Sequence, residues 1–160
     1  TDVNLKGYVD ADWGSNPNGR KSQSGYLFTV CGGVISWASK KQSVVALSST
    51  EAEYIAASLA SQEAVWLRSL LGDISFVQKE PTVIKEDNQG TIALSRNPKY
   101  HPRTKHIDIK YHFIRDKVEK KELVLEYCPT EQMLADLLTK PLGKTLFQRL
   151  RGLMGVRNSL

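Results

Sequence analysis

The sequence predicts an α/β domain with one mixed sheet, in which an antiparallel part precedes a parallel part. Three strand-like segments near the N-terminus come before any helical pattern, and two further strand-like segments follow between helical segments. Strands joined by short turns pair antiparallel, whereas strands joined through a helix usually pair in parallel. The 160 residues are sufficient for one domain with a well-buried core.

The antiparallel part is predicted from three apolar segments that are separated by turn residues. Residues 5–11 form the first strand, and a loop rich in Gly, Asn, Pro and Ser follows it. Residues 24–31 and 34–40 are rich in aromatic and β-branched side chains. They flank Gly32-Gly33, a typical hairpin turn, so we expect these two strands to pair.

A long helix is predicted next, over residues 49–71. Ser48 and Glu51 form the S-x-x-E pattern of a capping box, which fixes where the helix begins. Residues 82–87 then form a short strand, and a helix follows at about 89–95.

The rest of the chain is predicted to contain three helices and one strand. A helix at about 105–120 is expected to bury a stripe of side chains at helical spacing: Ile107, Tyr111, Ile114 and Val118. Residues 122–128 form the last strand, and a helix extends from Pro129-Thr130 to near Pro141. A final short amphipathic helix is expected within residues 143–160.

The net charge of +5 is localised. Residues 99–121 contain eight basic and three acidic side chains, so this segment alone sums to +5 and the remainder is neutral. A local basic excess on a neutral body points to a polyanionic partner. A solvated helix face is the alternative interpretation. The basic residues are Lys99, Arg103, Lys105, Lys110, Arg115, Lys117, Lys120 and Lys121.

Other features of composition indicate an intracellular protein that does not enter membranes. No apolar run approaches membrane-spanning length, and the N-terminus does not resemble a signal peptide. Cys31 and Cys128 lack metal-ligand spacing and are expected to be small buried residues in a reducing compartment. Thr1 in place of Met suggests a processed product or a piece of a longer chain.

Four carboxylates in apolar surroundings are the most informative residues: Asp10, Glu53, Asp87 and Asp136. A carboxylate beside buried strand or helix is unfavourable unless something compensates its charge. The four side chains lie at the ends of separate elements, and ligands of such sheets bind at the carboxyl ends of parallel strands. We therefore expect one shared compensation, a pair of divalent cations.

Taken singly, these carboxylates have alternative explanations. Asp10 and Asp12 share one strand face, so the pattern does not choose between them. Asp87 could cap the following helix. Glu53 is better supported, because the alanines that follow it at helical spacing would let the helix approach the sheet closely. Asp136 lies among leucines in a predicted helix, where Asp is a poor helix former.

Taken in order, these segments resemble the RNase H family: GYVDADW, RKSQSGYLF, ISWASKKQSVVALSSTEAEYIA, EDNQGTIAL, RTKHIDIKYHFIRD and ADLLTKPL. They are most similar to the RNase H domain in the reverse transcriptase/RNase H region of copia-like LTR retrotransposon polyproteins. The similarity covers nearly the whole chain. The most specific blocks are SKKQ-x5-SSTEAEY and RTKHIDIKYHFIRD.

The resemblance implies an RNase H-like fold, a five-stranded mixed sheet flanked by helices. Residues 1–142 would form the catalytic domain and 143–160 a C-terminal helical extension that packs on it or trails it. The resemblance places the catalytic, metal-binding carboxylates at Asp10, Glu53, Asp87 and Asp136. It implies cleavage of the RNA strand of RNA–DNA hybrids with two Mg²⁺ ions, for which Mn²⁺ could substitute, leaving a 3′-hydroxyl and a 5′-phosphate.

The resemblance also implies partners and a location. Polar residues beside the catalytic positions would contact the minor groove of the hybrid, and basic residues would contact phosphate. A reverse transcriptase domain would be linked or adjacent, within a cytoplasmic virus-like particle. The expected hybrid contacts are Ser49, Thr50, Asn88, Gln89, Arg103, Lys105, Lys110 and Lys117.

One departure from the family pattern concerns histidine. Many relatives carry a His in the loop before the final catalytic Asp, whereas this chain has only CPTEQMLAD there. His106, near the start of a helix in the basic segment, is the candidate for a catalytic substitute. A surface or packing role is the ordinary alternative for this histidine.

Two other functions remain open at this stage. The first is a non-catalytic RNase H-like module that binds hybrid or supports a reverse transcriptase. The second is an integrase-type or resolvase-type nuclease that acts on DNA. The intact carboxylate set argues against a pure binder, because clustered negative charges repel phosphate. The blocks RTKHIDIKYHF and SSTEAEY favour RNase H over the second.

Overall fold

The computed structural model describes residues 3–14, 20–97 and 105–156, with side chains in the last segment from Ile107 onward. The predicted order of strands and of the first three helices is confirmed. The strands are β1 (Lys6–Asp12), β2 (Gln23–Val30), β3 (Gly33–Lys41), β4 (Thr82–Glu86) and β5 (Leu123–Tyr127). The α-helices are α1 (Ser49–Asp73), α2 (Gln89–Arg96), α3 (Lys105–Glu119) and α4 (Lys144–Leu153).

The five strands form one mixed sheet in the order β3-β2-β1-β4-β5. The N-terminal meander pairs antiparallel, β1 with β2 and β2 with β3. β4 pairs in parallel with both β1 and β5. The carboxyl ends of β1, β4 and β5 therefore lie at one edge of the sheet, where Asp10 pairs with Gly25 of β2.

The hairpin between β2 and β3 turns one residue earlier than the Gly-Gly pair suggests. Val30 pairs with Gly33, and the two turn residues are Cys31, with φ +54°, and Gly32, with φ +78°. Positive φ at both central residues is the geometry of a type I′ turn, which matches the twist of the strands. Cys31 is exposed at this turn, so the expectation that it is buried is wrong, whereas Cys128 is buried.

Helix α1 lies across one face of the sheet and begins where the capping box predicts. The Ser48 hydroxyl accepts a hydrogen bond from the Glu51 amide at 3.1 Å. Ala57, Ala60 and Ala64 are fully buried, which allows the helix backbone to lie close to the strands. Three members of the predicted stripe of α3, Ile107, Tyr111 and Ile114, are buried in this core, and Val118 is half-buried against it. Tyr111 stacks on Tyr54 of α1 with ring centroids 3.9 Å apart.

The helix predicted from Pro129 to Pro141 is wrong. The segment contains two short 3₁₀ turns, Thr130–Gln132 and Leu134–Leu138, separated by Met133. Met133 has extended backbone (φ −74°, ψ 98°) and a fully buried side chain that clusters with Cys128 and Ala135. Tertiary packing of this one side chain interrupts the helical pattern that the leucines suggest.

The second 3₁₀ turn and α4 pack together beside the sheet, in a separate apolar cluster. The buried members of this cluster are Leu27 of β2, Leu134 of the 3₁₀ turn and Leu150 of α4. α4 thus anchors residues 144–153 to the body of the domain through Leu150, which is fully buried. None of the described helices is long and apolar enough to cross a membrane.

Candidate active site

Three carboxylates from three elements meet at the carboxyl edge of the parallel strands. Asp10 lies near the end of β1, Glu53 in the first turns of α1, and Asp87 directly after β4. One oxygen from each lies within 4.8 Å of the others. Asp10 and Glu53 are buried, and Asp87 is half-buried. The two candidates on β1 differ in the structure, because Asp10 is in this cluster whereas Asp12 lines a neighbouring groove with Gln23, Ser39 and Lys140.

Asp136 approaches the cluster from the second 3₁₀ turn and is connected to it by a lysine. It is 2% exposed. The ammonium of Lys140 donates to Asp136 Oδ1 at 2.8 Å and to Asp10 Oδ1 at 3.0 Å. Asp136 does not belong to the group of mutually close oxygens found among the described residues. The structure thus brings three of the four predicted carboxylates together directly and joins the fourth to Asp10 through Lys140.

The Thr139 hydroxyl donates to the other oxygen of Asp10, Oδ2. Asp10, which is fully buried, therefore accepts hydrogen bonds from two consecutive residues of the segment that follows Asp136. These contacts span about 130 residues of sequence and orient the Asp10 carboxylate toward the cluster.

A fifth carboxylate, Glu86, was missed by the sequence reasoning. It is fully buried at the end of β4, and its Oε1 accepts a hydrogen bond from the Asn88 amide at 3.0 Å. Its Oε2 has no hydrogen-bond partner among the described residues. The signal was present in the strand alternation, since Thr82, Ile84 and Glu86 share the buried face of β4.

Burial and mutual repulsion favour protonation in this cluster. Burial, reinforced by the charges of Glu86, Asp10 and Asp87, raises the pKa of Glu53 to about 11. The pKa of Glu86 is raised well above its usual value, chiefly by burial. Burial also raises the pKa values of Asp87 and Asp136. The site without metal therefore lacks sufficient positive charge for its carboxylates.

Among the described residues, Lys140 is the basic side chain that contacts this site, through Asp10 and Asp136. Burial alone would lower the pKa of its ammonium, but the contacts with Asp136 and Asp10 outweigh burial and raise it. The lysine therefore stays charged and neutralises part of the cluster. Sequence reasoning treated ADLLTK only as a motif, and nothing local indicates that its lysine would reach a strand about 130 residues away.

The expected minor-groove contacts lie at two adjacent helix N-termini. Ser49 and Thr50 begin α1, while Asn88 caps α2 by accepting a hydrogen bond from the Thr91 amide at 3.0 Å. The Thr91 hydroxyl donates to the Thr50 carbonyl at 3.3 Å, which holds the two ends together. Gln89 and Ser49 are exposed beside the carboxylate cluster, and Thr50 and Asn88 are half-buried.

The basic segment is only partly described. Arg103 lies outside the described residues, and Lys105 and His106 begin α3 without described side chains. Lys110 is half-buried on α3. Lys117 is bound to Glu122 at 3.1 Å, and buried Arg115 donates to the Asn97 carbonyl at 3.1 Å. Part of the positive charge in this segment therefore has intramolecular partners.

The residues present suit a divalent metal ion. Hard cations bind carboxylate oxygens, and the cluster offers at least three from converging elements. Glu53 Oε2 and Glu86 Oε2 are both buried and have no hydrogen-bond partner in the part of the chain that the structure describes. A bound cation would relieve this condition.

Comparison with solved structures defines the class of fold. LC11-RNase H1, isolated from compost by a metagenomic approach, matches with a TM-score of 0.63 and 20% identity, over 86% of this chain and 93% of its own. The same enzyme in complex with an RNA/DNA hybrid matches with a TM-score of 0.60 and 16% identity, over 84% of this chain and 93% of its own. The domain has the RNase H fold.

Comparison of sequences then gives the family. The retrovirus-related Pol polyprotein from transposon TNT 1-94 of Nicotiana tabacum is 46% identical over 159 residues, 99% of this chain and 12% of the polyprotein. That from transposon RE1 of Arabidopsis thaliana is 43% identical over 154 residues, 96% of this chain and 10% of the polyprotein. No family model matches. The homologues of this chain are retrovirus-related Pol polyproteins of copia-like transposons, and the chain spans about a tenth of their length.

Proposed function

We propose that this domain is a divalent-metal-dependent ribonuclease H, which cleaves the RNA strand of RNA–DNA hybrids during reverse transcription of a retrotransposon. The carrying observation is the convergence of Asp10, Glu53 and Asp87 at the carboxyl edge of an RNase H sheet. The hybrid as substrate is supported by LC11-RNase H1, whose structure contains an RNA/DNA hybrid. Membership in the Pol polyproteins supports an adjacent reverse transcriptase domain as partner.

In this proposal Asp10, Glu53, Asp87 and Asp136 hold two Mg²⁺ ions, and Mn²⁺ can substitute for them. When bound, the ions supply a water of lowered pKa and stabilise the leaving 3′ oxygen, so the products carry a 3′-hydroxyl and a 5′-phosphate. Thr139 orients Asp10 through its hydrogen bond to Oδ2. The cluster lies where the carboxyl ends of the parallel strands meet the first turns of α1, so these carboxylates can face one phosphodiester of a bound strand.

Selectivity for the hybrid is assigned to the two helix N-termini beside the cluster. Ser49, Thr50, Asn88 and Gln89 offer short polar side chains suited to sugars and minor-groove edges. Asn88 keeps Gln89 in place by capping α2. The hydroxyl donors among them would distinguish a ribose 2′-hydroxyl from deoxyribose. Lys110 remains a candidate phosphate contact, as do Arg103 and Lys105, and Lys117 can serve only if it leaves Glu122.

The proposed division of the chain into a catalytic domain and an extension remains a prediction from the resemblance. In this proposal residues 1–142 form the catalytic domain and 143–160 a C-terminal extension, whose described helix α4 packs on the domain. The support is Leu150 of α4, which is fully buried with Leu27 and Leu134. An intracellular location, in a cytoplasmic particle, stays a prediction from the resemblance, as does a catalytic role of His106.

One assay tests the function. The 160-residue chain is incubated with labelled RNA–DNA hybrid, duplex DNA and duplex RNA, each with Mg²⁺, with Mn²⁺ and with EDTA. Only the RNA strand of the hybrid should be cut, only with metal, and Asp10→Asn should abolish cleavage whereas Asp12→Asn should not. Hybrid binding without cleavage under every condition would instead support a binding module. Cleavage of duplex DNA would support an integrase-type nuclease.

A further inference from the structure

The side chain of Lys140 occupies a position between two of the four proposed metal ligands. Its ammonium lies 3.0 Å from Asp10 Oδ1 and 2.8 Å from Asp136 Oδ1. The two carboxylates are almost completely buried, whereas the lysine side chain is 31% exposed. The ammonium thus sits at the rim of the cluster, with both buried carboxylates directed at it.

This arrangement sets the lysine in competition with a divalent ion. An oxygen that accepts a short hydrogen bond from an ammonium has less capacity to coordinate a cation, and two positive charges in one place repel each other. The competition is strongest for an ion held by Asp10 and Asp136, since these two carboxylates share the lysine.

We propose that Lys140 is an internal cation that takes the place of a divalent ion in the metal-free protein and withdraws when the ion binds. The inference rests on the metal site of the proposed function. In the metal-free state the ammonium holds Asp10 and Asp136 together and limits their repulsion. An entering ion displaces it and inherits two carboxylates that are already in position.

The location of Lys140 permits this withdrawal. The side chain is partly solvated and has a flexible four-carbon stem, so the ammonium can move into water without breaking the core. The backbone at this point is held independently, because the Lys140 amide donates to the Asp136 carbonyl at 3.0 Å. Thr139 keeps its own hydrogen bond to Asp10 Oδ2, so Asp10 retains one orienting contact when the lysine leaves.

The proposal predicts opposite effects on the metal-free and metal-loaded states. Replacing the lysine by a neutral side chain removes a competitor for the ion, so Mg²⁺ should bind more tightly. The same change leaves the buried carboxylates uncompensated in EDTA, so the metal-free protein should melt at a lower temperature. If Lys140 served only in packing or in ion pairing, its replacement would lower the melting temperature equally with and without metal.

The test compares wild type with Lys140→Gln and Lys140→Arg. The control is Lys85→Gln, since Lys85 is also partly buried and pairs with Glu126 at 3.0 Å, outside the carboxylate cluster. Mg²⁺ binding is measured by isothermal titration calorimetry, and melting temperature is measured in EDTA and in saturating Mg²⁺. Neither readout requires cleavage, so a wild type that binds Mg²⁺ without cutting hybrid would refute the proposed function and leave this inference intact.

We expect Lys140→Gln to bind Mg²⁺ at least about fivefold more tightly and to gain more melting temperature from Mg²⁺ than wild type. Lys140→Arg should behave like wild type or bind more weakly, and Lys85→Gln should show the wild-type affinity and gain. If Lys140→Gln is unfolded in EDTA, folding on addition of Mg²⁺ supports the proposal, and failure to fold overturns it. Unchanged or weaker Mg²⁺ affinity of a folded Lys140→Gln, or no Mg²⁺ binding by either protein, also overturns it.

Discussion

Glu53→Gln should stabilise the metal-free domain and change how its stability depends on pH. Burial and neighbouring carboxylates raise the pKa of Glu53 from 4.5 to about 11. Between these values the folded state binds one more proton than the unfolded chain. The contribution of Glu53 to the free energy of unfolding is therefore fully present below about pH 4.5. It falls as pH rises, by about 1.4 kcal/mol per pH unit for each such proton.

The size of the effect at neutral pH follows from this slope. At pH 7, about 2.5 units above the usual pKa, the loss attributable to Glu53 reaches about 3 kcal/mol as an upper bound. A glutamine has the same shape and cannot ionise, so the variant avoids this loss. Burying an unpaired amide takes back about 1–2 kcal/mol, which leaves a net gain of about 1–2 kcal/mol at pH 7.

The assay is urea unfolding in EDTA at pH 5, 6, 7 and 8. The free energy of unfolding of the wild type should fall as pH rises, with a slope that corresponds to at most two protons, because the pKa of Glu86 is also raised by burial. Glu53→Gln should show at most half that slope and should exceed wild type in stability at pH 8. Exposed Glu80 provides the control, Glu80→Gln, for the loss of a negative charge alone. Equal slopes for wild type and Glu53→Gln, or a wild-type stability that does not change with pH, would refute the reasoning.

Further predictions concern the carboxylates, the basic segment and His106. Loss of most cleavage, with retained folding, is expected for each of Asp10→Asn, Glu53→Gln, Asp87→Asn and Asp136→Asn. In EDTA, Asp10→Asn and Asp136→Asn should lower the melting temperature by differential scanning fluorimetry, because each breaks an ion pair with Lys140, in contrast to Glu53→Gln. If Lys105 or Lys110 contacts phosphate, its change to Ala should reduce the salt slope of hybrid binding by about one. The effect should be smaller for Lys117, which is paired with Glu122. Unchanged slopes would mean that the basic segment is a solvated helix face. If His106 takes part in proton transfer or product release, His106→Ala should lower turnover more than hybrid affinity and flatten the rate profile between about pH 6 and 8, and a wild-type profile would make it structural.

Local patterns in the sequence were sufficient for most of the fold. Alternation and turn residues gave β1 to β5 to within about one or two residues, and the contact between Ser48 and the Glu51 amide marks the predicted start of α1. These features depend on residues that are close in sequence, so the sequence alone is sufficient to predict them. The segment after Pro129 was mispredicted because the burial of Met133, a tertiary contact, interrupts a pattern of leucines that is locally compatible with a helix.

The structure brings together three of the four carboxylates that the sequence singled out, but the contacts around them could not be predicted. The unusual apolar setting of the four carboxylates was visible in the sequence, but the choice of Asp10 over Asp12 came only from the resemblance, and the structure then gave it a geometric basis. Glu86 was not predicted as a site residue, because the neighbouring Asp87 was taken as the carboxylate at the end of β4. The alternation of β4 nevertheless places Glu86 on its buried face. Lys140 could not be inferred, since its partner Asp10 is about 130 residues distant and depends on how the final turn packs.

Protons, Lys140 and metal ions compensate the same buried negative charge, so their effects must be linked. An ion that binds at Asp10, Glu53 and Asp87 lowers the pKa of Glu53 and displaces its proton. Mg²⁺ binding should therefore release protons, and the apparent affinity for Mg²⁺ should rise between pH 6 and 8. Calorimetric titrations in buffers with different ionisation enthalpies measure the number released, which should be close to one and should fall toward zero in Glu53→Gln. Release of no proton from wild type would mean that the carboxylates are already ionised without metal, and that Lys140 alone compensates the cluster.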